Sequence, residues 1–284
     1  MRFTVKHFNE RFPDDNSCLD YMFDLAYGQM PACPKCGVAD PGYYRVRGRK
    51  CYECKDCGNQ IYPLANTIFH KSSTPLKDWF YVIFLFSVAK NGVSAKEVER
   101  HLGVTYKTAW RIAKQVRILM LDSNTPLSGI VETDETYIGG RERGNNVTVQ
   151  NKAIVFGIVE RGGRVKAEHV PTAGARILLP RLNASIEPGT VVYSDQARVY
   201  RTLHRIGYYH DSVNHSIGEY GRGAVHTNTI EGFWSQLKRS MDGTYHCVSR
   251  KYLQLYLNEF VYRYNHRQVP VFPVLIATAA RRVQ

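Results

Sequence analysis

Apolar residues recur along this chain with two different periods, and the change from one to the other divides it. Over residues 14–27 a capping start at Asp14-Asp15 precedes Leu19, Met22, Phe23 and Ala26 at helical spacing, and Gly28 closes the segment. From Thr74 onward Leu76, Trp79, Phe80, Ile83, Phe84 and Val88 form a wide helical stripe, ended by Asn91-Gly92. Residues 94–113 then read as helix, turn, helix: Ser94 caps with Glu97 three residues on, Gly103 turns the chain, and Thr105 caps the second helix. An ordinary helical hairpin carries the same signature.

A polar, breaker-rich stretch over 122–129 ends this region, and the period then becomes that of strands. Residues 130–138 alternate, 153–160 are almost continuously apolar, and 164–170 alternate again across an Arg161-Gly162-Gly163 turn, which predicts a hairpin. A helix ending near Ile186 follows, then a buried strand over 190–195, a helix over 200–206 and a short strand over 208–213. A Gly-rich loop leads to a helix starting near Asn228, where Ile230, Trp234, Leu237 and Met241 make one buried stripe. A last amphipathic, aromatic-rich helix spans 252–264. Three strands joined as hairpins and then alternating helices and strands give the element order of a ribonuclease H-like α/β fold, a mixed sheet with flanking helices.

Charge adds a partner. The chain of 284 residues has a formal net charge of +13, much of it in short clusters: 45–50, 107–117, Lys238-Arg239 and Arg281-Arg282. Such an excess attracts polyanions, with nucleic acid the first candidate. The second helix of the 94–113 pair presents Tyr106, Lys107, Arg111 and Lys114, residues suited to a major groove. No apolar run reaches about 18 residues, so no membrane span is expected, and residues 1–7 lack the apolar core of a signal peptide. A cytoplasmic, nucleoid-associated protein is expected.

In a reducing compartment seven cysteines need a use other than disulfides. Cys33-Pro34-Lys35-Cys36-Gly37 and Cys54-Lys55-Asp56-Cys57-Gly58 are two knuckles with seventeen residues between Cys36 and Cys54, the spacing of a four-cysteine Zn²⁺ site. Cys51 competes as a partner for Cys54, and a redox C-x-x-C is the other reading. The intervening residues 43–50 alternate enough for a β-hairpin, and Arg47, Arg49 and Lys50 on it are candidate DNA contacts.

Three carboxylates fall at special points of the pattern. Asp134 lies on the first strand of the α/β region, Asp195 ends the fourth, and Glu231 opens the helix at 228 with Lys238 two turns along the same side. Adjacent strands can bring Asp134 and Asp195 together, and like charges so placed need a cation. A pair of Mg²⁺ ions about 3.5–4 Å apart would neutralise them and drive displacement at phosphorus. Each residue also has a plain reading. Asp195 could cap the next helix, and Asn228 with Glu231 could form a capping box. Glu132 shares the face of Asp134, whereas Glu135 points to the other. His215 and His226 could contact phosphate or orient a carboxylate.

Taken together, Cys-Pro-Lys-Cys-Gly with the second knuckle, residues 69–79, Val-Glu-Thr-Asp-Glu-Thr-Tyr-Ile-Gly-Gly at 131–140, Tyr-Ser-Asp at 193–195, Val-Asn-His-Ser at 213–216 and His-Thr-Asn-Thr-Ile-Glu-Gly-Phe-Trp-Ser-Gln-Leu-Lys-Arg at 226–239 resemble a bacterial insertion-sequence transposase of the DDE type, in the group with an N-terminal zinc ribbon related to eukaryotic Merlin elements. The resemblance covers nearly the whole chain. It implies that Asp134, Asp195 and Glu231 form a catalytic triad holding Mg²⁺ (or Mn²⁺), with Lys238 and Arg239 against DNA and Asn228 as a rival third ligand. It also implies binding to terminal inverted repeats and target DNA, as a homo-oligomer, with strand cleavage and strand transfer. Transposase-derived DNA-binding regulators and hydrolysis-only nucleases are the alternatives. The expected organisation is an N-terminal helical segment (1–28), a zinc ribbon (29–66), a helix-turn-helix domain (72–122), the DDE catalytic domain (128–268) and a C-terminal tail (269–284).

Overall fold

Where local pattern and capping agree, helices form, and where apolar residues alternate, strands pair. The computed structural model describes residues 3–28, 32–139, 152–195, 198–214, 217–219 and 221–281. The basic loop 141–151, His215 and Arg282 lie outside the described residues. Among the described residues no helix is long and apolar enough to cross a membrane. The chain divides into two compact units, one drawn from 1–89, 95–119 and 269–284, the other from 90–94 and 120–268.

The first unit opens with two short helices, α1 (Val5–Arg11) and α2 (Asp15–Tyr27), capped by Thr4 and Asp14, whose side chains accept the amides of His7 and Ser17. Strands β1 (Tyr43–Arg45) and β2 (Tyr52–Cys54) pair antiparallel as the expected hairpin, and a third strand, β3 (Gln60–Ile61), joins β2. Helix α3 (Leu76–Val88) buries Leu76, Trp79, Phe80, Val82, Ile83, Phe84 and Phe86, more than one face of it, so it lies at the centre of the unit. Helices α4 (Ala95–Leu102) and α5 (Tyr106–Leu119) follow, with Gly103 between them at φ +65°, a conformation that favours glycine. Sequence assigns no role to the segment from 269. In the structure Val271–Ala280 is a helix, here numbered α9, and Phe272 packs its ring against Phe3, Phe8, Phe12, Phe80 and Phe84.

The second unit is a five-stranded mixed sheet. Its strands are β4 (Ile130–Ile138), β5 (Ala153–Glu160), β6 (Val165–Val170), β7 (Val191–Asp195) and β8 (Tyr209–Val213), in the order β6-β5-β4-β7-β8. The first three pair antiparallel, and β7 and β8 run parallel to β4. On one face lie α7 (Asn228–Ser240) and α8 (Arg250–Asn265), which bury Ile230, Trp234, Leu237, Leu253 and Leu257 against Val155, Val159 and Val165. The other face is covered by α6 (Ala175–Ser185) and a 3-10 helix (Arg198–Ile206), with Leu178, Leu182, Tyr200 and Leu203 against Val131, Phe156 and Val192.

Helix α8 also closes the outer rim of β6. The Asn265 side-chain amide accepts the Val165 N–H and donates to the Val165 carbonyl, at 2.7 and 3.0 Å. Gln254 accepts the His169 N–H and donates to the Ala167 carbonyl, at 2.9 and 3.2 Å.

A glycine lets α7 approach the sheet. A Cβ at Gly157, on β5 opposite Asp134, would stand 2.4 Å from Cζ2 of Trp234 and 3.1 Å from Cδ1 of Ile230. Because the indole is wedged in a packed core, Gly157→Ala is expected to destabilise the protein by about 1–3 kcal/mol, the range for overpacking. A denaturant melt checks this; an unchanged midpoint would mean that the indole can step aside.

Candidate active site and cysteine cluster

Strand pairing brings the carboxylates near one another. In the parallel pairing of β4 with β7 the last matched residues are Thr133 and Ser194, so Asp134 and Asp195 follow one position on, on neighbouring strands. Alternation turns Asp134 toward α7, and there its Oδ2 accepts the indole N–H of Trp234 at 3.0 Å. Burial first, and then the negative charge of Asp195, raise the Asp134 carboxyl to about 6; Glu231 adds a smaller push in the same direction. The backbone N–H of Glu135 and the indole N–H of Trp234 oppose that rise.

Asp195 and Glu231 both disfavour the charged form of Asp134, and carboxylate oxygens are the donor type that a hard divalent cation takes, so the chemistry of these side chains suits Mg²⁺ or Mn²⁺. Glu231 is exposed in the first turn of α7, and its Oε1 accepts the Thr227 hydroxyl at 2.7 Å. Lys238 and Arg239 are exposed two turns further along, and Asn228 is exposed as the first residue of the helix.

The alternative capping box of Asn228 with Glu231 does not form, Asn228 being the first residue of the helix itself. Thr227 is the N-cap, and its side chain does not cap the helix. Glu132 takes the capping role instead, from the strand below. It is fully buried; its Oε2 accepts the amides of Thr229 and Ile230 at 2.7 and 3.0 Å, and its Oε1 accepts the Thr229 hydroxyl at 2.8 Å. Arg161 Nε donates to the same Oε1 at 2.7 Å. The rest of that guanidinium holds the carbonyls of Ala224 and His226 and approaches His226 Nδ1. Pattern places Glu132 on the Asp134 face; what it cannot supply is a partner 97 residues away.

On the other face Glu135 accepts the hydroxyl of Tyr200, a fully buried residue of the 3-10 helix. Burial raises the Glu135 carboxyl to about 7. Ser194 lies 2.9 Å from His210 Nε2, and burial lowers the His210 pKa.

These raised carboxyls predict a pH dependence in metal-free protein. A folded-state pKa above the unfolded value means that the native state binds the extra proton. The stabilising contribution of Asp134 is therefore complete below the ordinary 3.8 and lost as pH rises through about 6. Melting temperatures recorded from pH 4 to 7 in wild type and Asp134→Asn should converge at low pH and separate above about 6, with the wild type lower. Parallel curves would show that Asp134 titrates normally.

In the first unit the four sulfurs of Cys33, Cys36, Cys54 and Cys57 lie within 4.8 Å of one another, and Cys33 and Cys57 are 3.8 Å apart. Tetrahedral Zn–S bonds of about 2.3 Å give sulfur separations of roughly 3.8 Å, so the cluster fits zinc. Gly37 and Gly58 take φ +70° and +67° and return their amides to the carbonyls of Cys33 and Cys54, closing each knuckle. The backbone amide of Cys36 draws the Cys33 thiol down to about 6. Cys51, the competing ligand, is buried and stands outside the cluster.

Of the residues expected to contact DNA, Lys238 and Arg239 belong to the second unit and the others to the first. Arg47, Arg49 and Lys50 are exposed on the turn between β1 and β2, with Lys50 4.0 Å from Asp15. On α5, Tyr106, Lys107 and Arg111 are exposed and Lys114 is half-buried. Two of these cations lie over rings: Arg111 over Trp79 at 5.4 Å and Lys114 over Trp110 at 5.6 Å.

Comparison with known proteins agrees with this layout. Residues 126–265 match the family model described as ISXO2-like transposase domain, and residues 13–60 match the transposase zinc-ribbon domain. The chain is 32% identical over 256 residues to an uncharacterized protein in transposable element ISH50 of Halobacterium salinarum, covering 81% of this chain and 84% of that one. An uncharacterized transposase-like protein of Haemophilus influenzae is 28% identical over 100 residues, which is 35% of this chain and 80% of that protein. With four clustered cysteines in one unit, Asp134 and Asp195 on neighbouring parallel strands of the other and these relatives along most of its length, the chain belongs to the insertion-sequence DDE transposases with a zinc ribbon.

Proposed function

We propose that the protein binds the terminal inverted repeats of its own element and catalyses metal-dependent DNA strand cleavage and strand transfer. The observation that carries this reading is the parallel β4–β7 register, which sets Asp134 and Asp195 one position past Thr133 and Ser194 on neighbouring strands. The sheet order and parallel β4–β7 pair support a ribonuclease H-like catalytic domain, and α4-Gly103-α5 supports a helix-turn-helix. In this reading Asp134, Asp195 and Glu231 hold Mg²⁺ or Mn²⁺, and the cysteine cluster holds Zn²⁺. Bound divalent ions supply an activated nucleophile and charge neutralisation at phosphorus. A 3′-hydroxyl oxygen attacks the target phosphorus in line, the opposite P–O bond breaks, and the proton passes to solvent. Glu231 is preferred to Asn228 as third ligand because only the carboxylate adds negative charge to offset that of the ions. Lys238 and Arg239 steady DNA phosphate as exposed cations on the same helix. Tyr106, Lys107, Arg111 and Lys114, with Arg47, Arg49 and Lys50, contact the repeat. The protein acts as a homo-oligomer, in the cytoplasm at the nucleoid.

The test incubates purified protein and Mg²⁺ with labelled ends of its element and plasmid target. Joined product is the expected outcome. Cleavage without joining would make the protein a nuclease, and binding with neither would make it a regulator.

A further inference from the structure

A buried carboxylate with every oxygen engaged, two residues before Asp134 on the same face of β4, is not needed merely to fill space. Each Glu132 oxygen has at least two donors: Thr229 N and Ile230 N on Oε2, and Arg161 Nε and the Thr229 hydroxyl on Oε1. His226 Nδ1 lies 3.2 Å from Oε1. With those oxygens committed, Glu132 cannot serve as a ligand. Its donors belong to the first turn of α7, the turn that carries Glu231, and to the arginine that holds the approach to that turn at Ala224 and His226. Besides the Trp234–Asp134 bond, Glu132 thus ties the strand bearing Asp134 to the very turn of the helix that bears Glu231. A carboxylate facing helix amides is also favoured by the helix dipole, which strengthens the lock.

We infer that Glu132 is a positioning residue: it sets the distance and rotation of Glu231 relative to Asp134, with Arg161 as its clamp, and so tunes how tightly the carboxylates grip a divalent ion. This rests on the reading of Asp134, Asp195 and Glu231 as the metal-holding set. Partners that orient metal ligands from behind typically contribute about 10–100-fold to affinity. In Glu132→Gln a side-chain NH₂ must face either the two α7 amides or Arg161, so one set of donors loses its acceptor and the turn shifts.

The test titrates Mn²⁺ into the full-length, zinc-loaded protein without DNA, following free Mn²⁺ by electron paramagnetic resonance well below the melting temperature of each variant. Asp134→Asn should lose the binding. Glu132→Gln should weaken it about tenfold, and raising Mn²⁺ should restore strand joining in Glu132→Gln but not in Asp134→Asn. A role confined to folding would lower the melting temperature and leave Mn²⁺ affinity untouched. Wild-type affinity in Glu132→Gln alongside loss in Asp134→Asn would overturn the inference and leave the metal site standing. Wild-type affinity in Asp134→Asn would overturn the metal site itself. If Glu132→Gln does not fold, Thr229→Val and Arg161→Gln each remove one donor and keep the carboxylate. Both should weaken Mn²⁺ two- to fivefold, and unchanged affinity in both would equally refute the positioning role.

Discussion

Asp134→Asn is expected to cut strand joining by on the order of 10⁴-fold, the scale on which one member of a catalytic unit acts, while leaving DNA binding and folding intact. The substitution keeps size and shape, and the amide oxygen can still accept the Trp234 indole N–H. What disappears is a charge that burial and Asp195 already disfavour in the metal-free protein. The variant should therefore melt no lower than wild type above pH 6, which separates lost chemistry from lost structure. Asp195→Asn and Glu231→Gln should match it in the joining assay, and a double substitution should be little worse than either single one, because three ligands of one site fail together. Joining within tenfold of wild type in any of the three would remove that residue from the triad.

The second large effect concerns zinc. The three strands around the cysteine cluster have only two or three residues each, too little to sustain a core unaided. Metal analysis is expected to find one zinc per chain in the wild type and none in Cys33→Ser or Cys54→Ser, whose ribbon should be open to proteolysis, since such metal binding is itself the folding free energy. Cys51→Ala should keep its zinc and its resistance. Retention of stoichiometric zinc by Cys54→Ser, or its loss from Cys51→Ala, would reassign the ligand. DNA binding in the chelated protein then decides whether the basic turn with Arg47, Arg49 and Lys50 is a contact surface or scaffold.

How much of this could be read beforehand depends on the range of the interaction. The knuckles at Cys33 and Cys54 are local, and so is the stripe of Ile230, Trp234, Leu237 and Met241, all four buried in the structure. The alternation of β4 likewise puts Glu132 and Asp134 on one side and Glu135 on the other. Helix α1 has seven residues, too few for a periodic signal. Helix α9 is apolar on most sides and follows Pro270, so it carries little amphipathic pattern, and what fixes it is an aromatic cluster assembled from distant segments. The replacement of a local capping box by Glu132 is the same lesson in one residue. Asn228 offers a cap from within its own turn, but a buried carboxylate across 97 residues of chain needs donors more urgently than the helix needs its own cap.

The amide seal along β6 has a consequence for how copies of the chain can meet. An open strand presents an N–H and a carbonyl at every second residue, ready to accept any extended peptide. Here Asn265 and Gln254 occupy those groups at Val165, Ala167 and His169. Sheet-to-sheet growth from that side would first have to strip helix α8 away, so two subunits cannot zip together there into one continuous sheet while each stays folded.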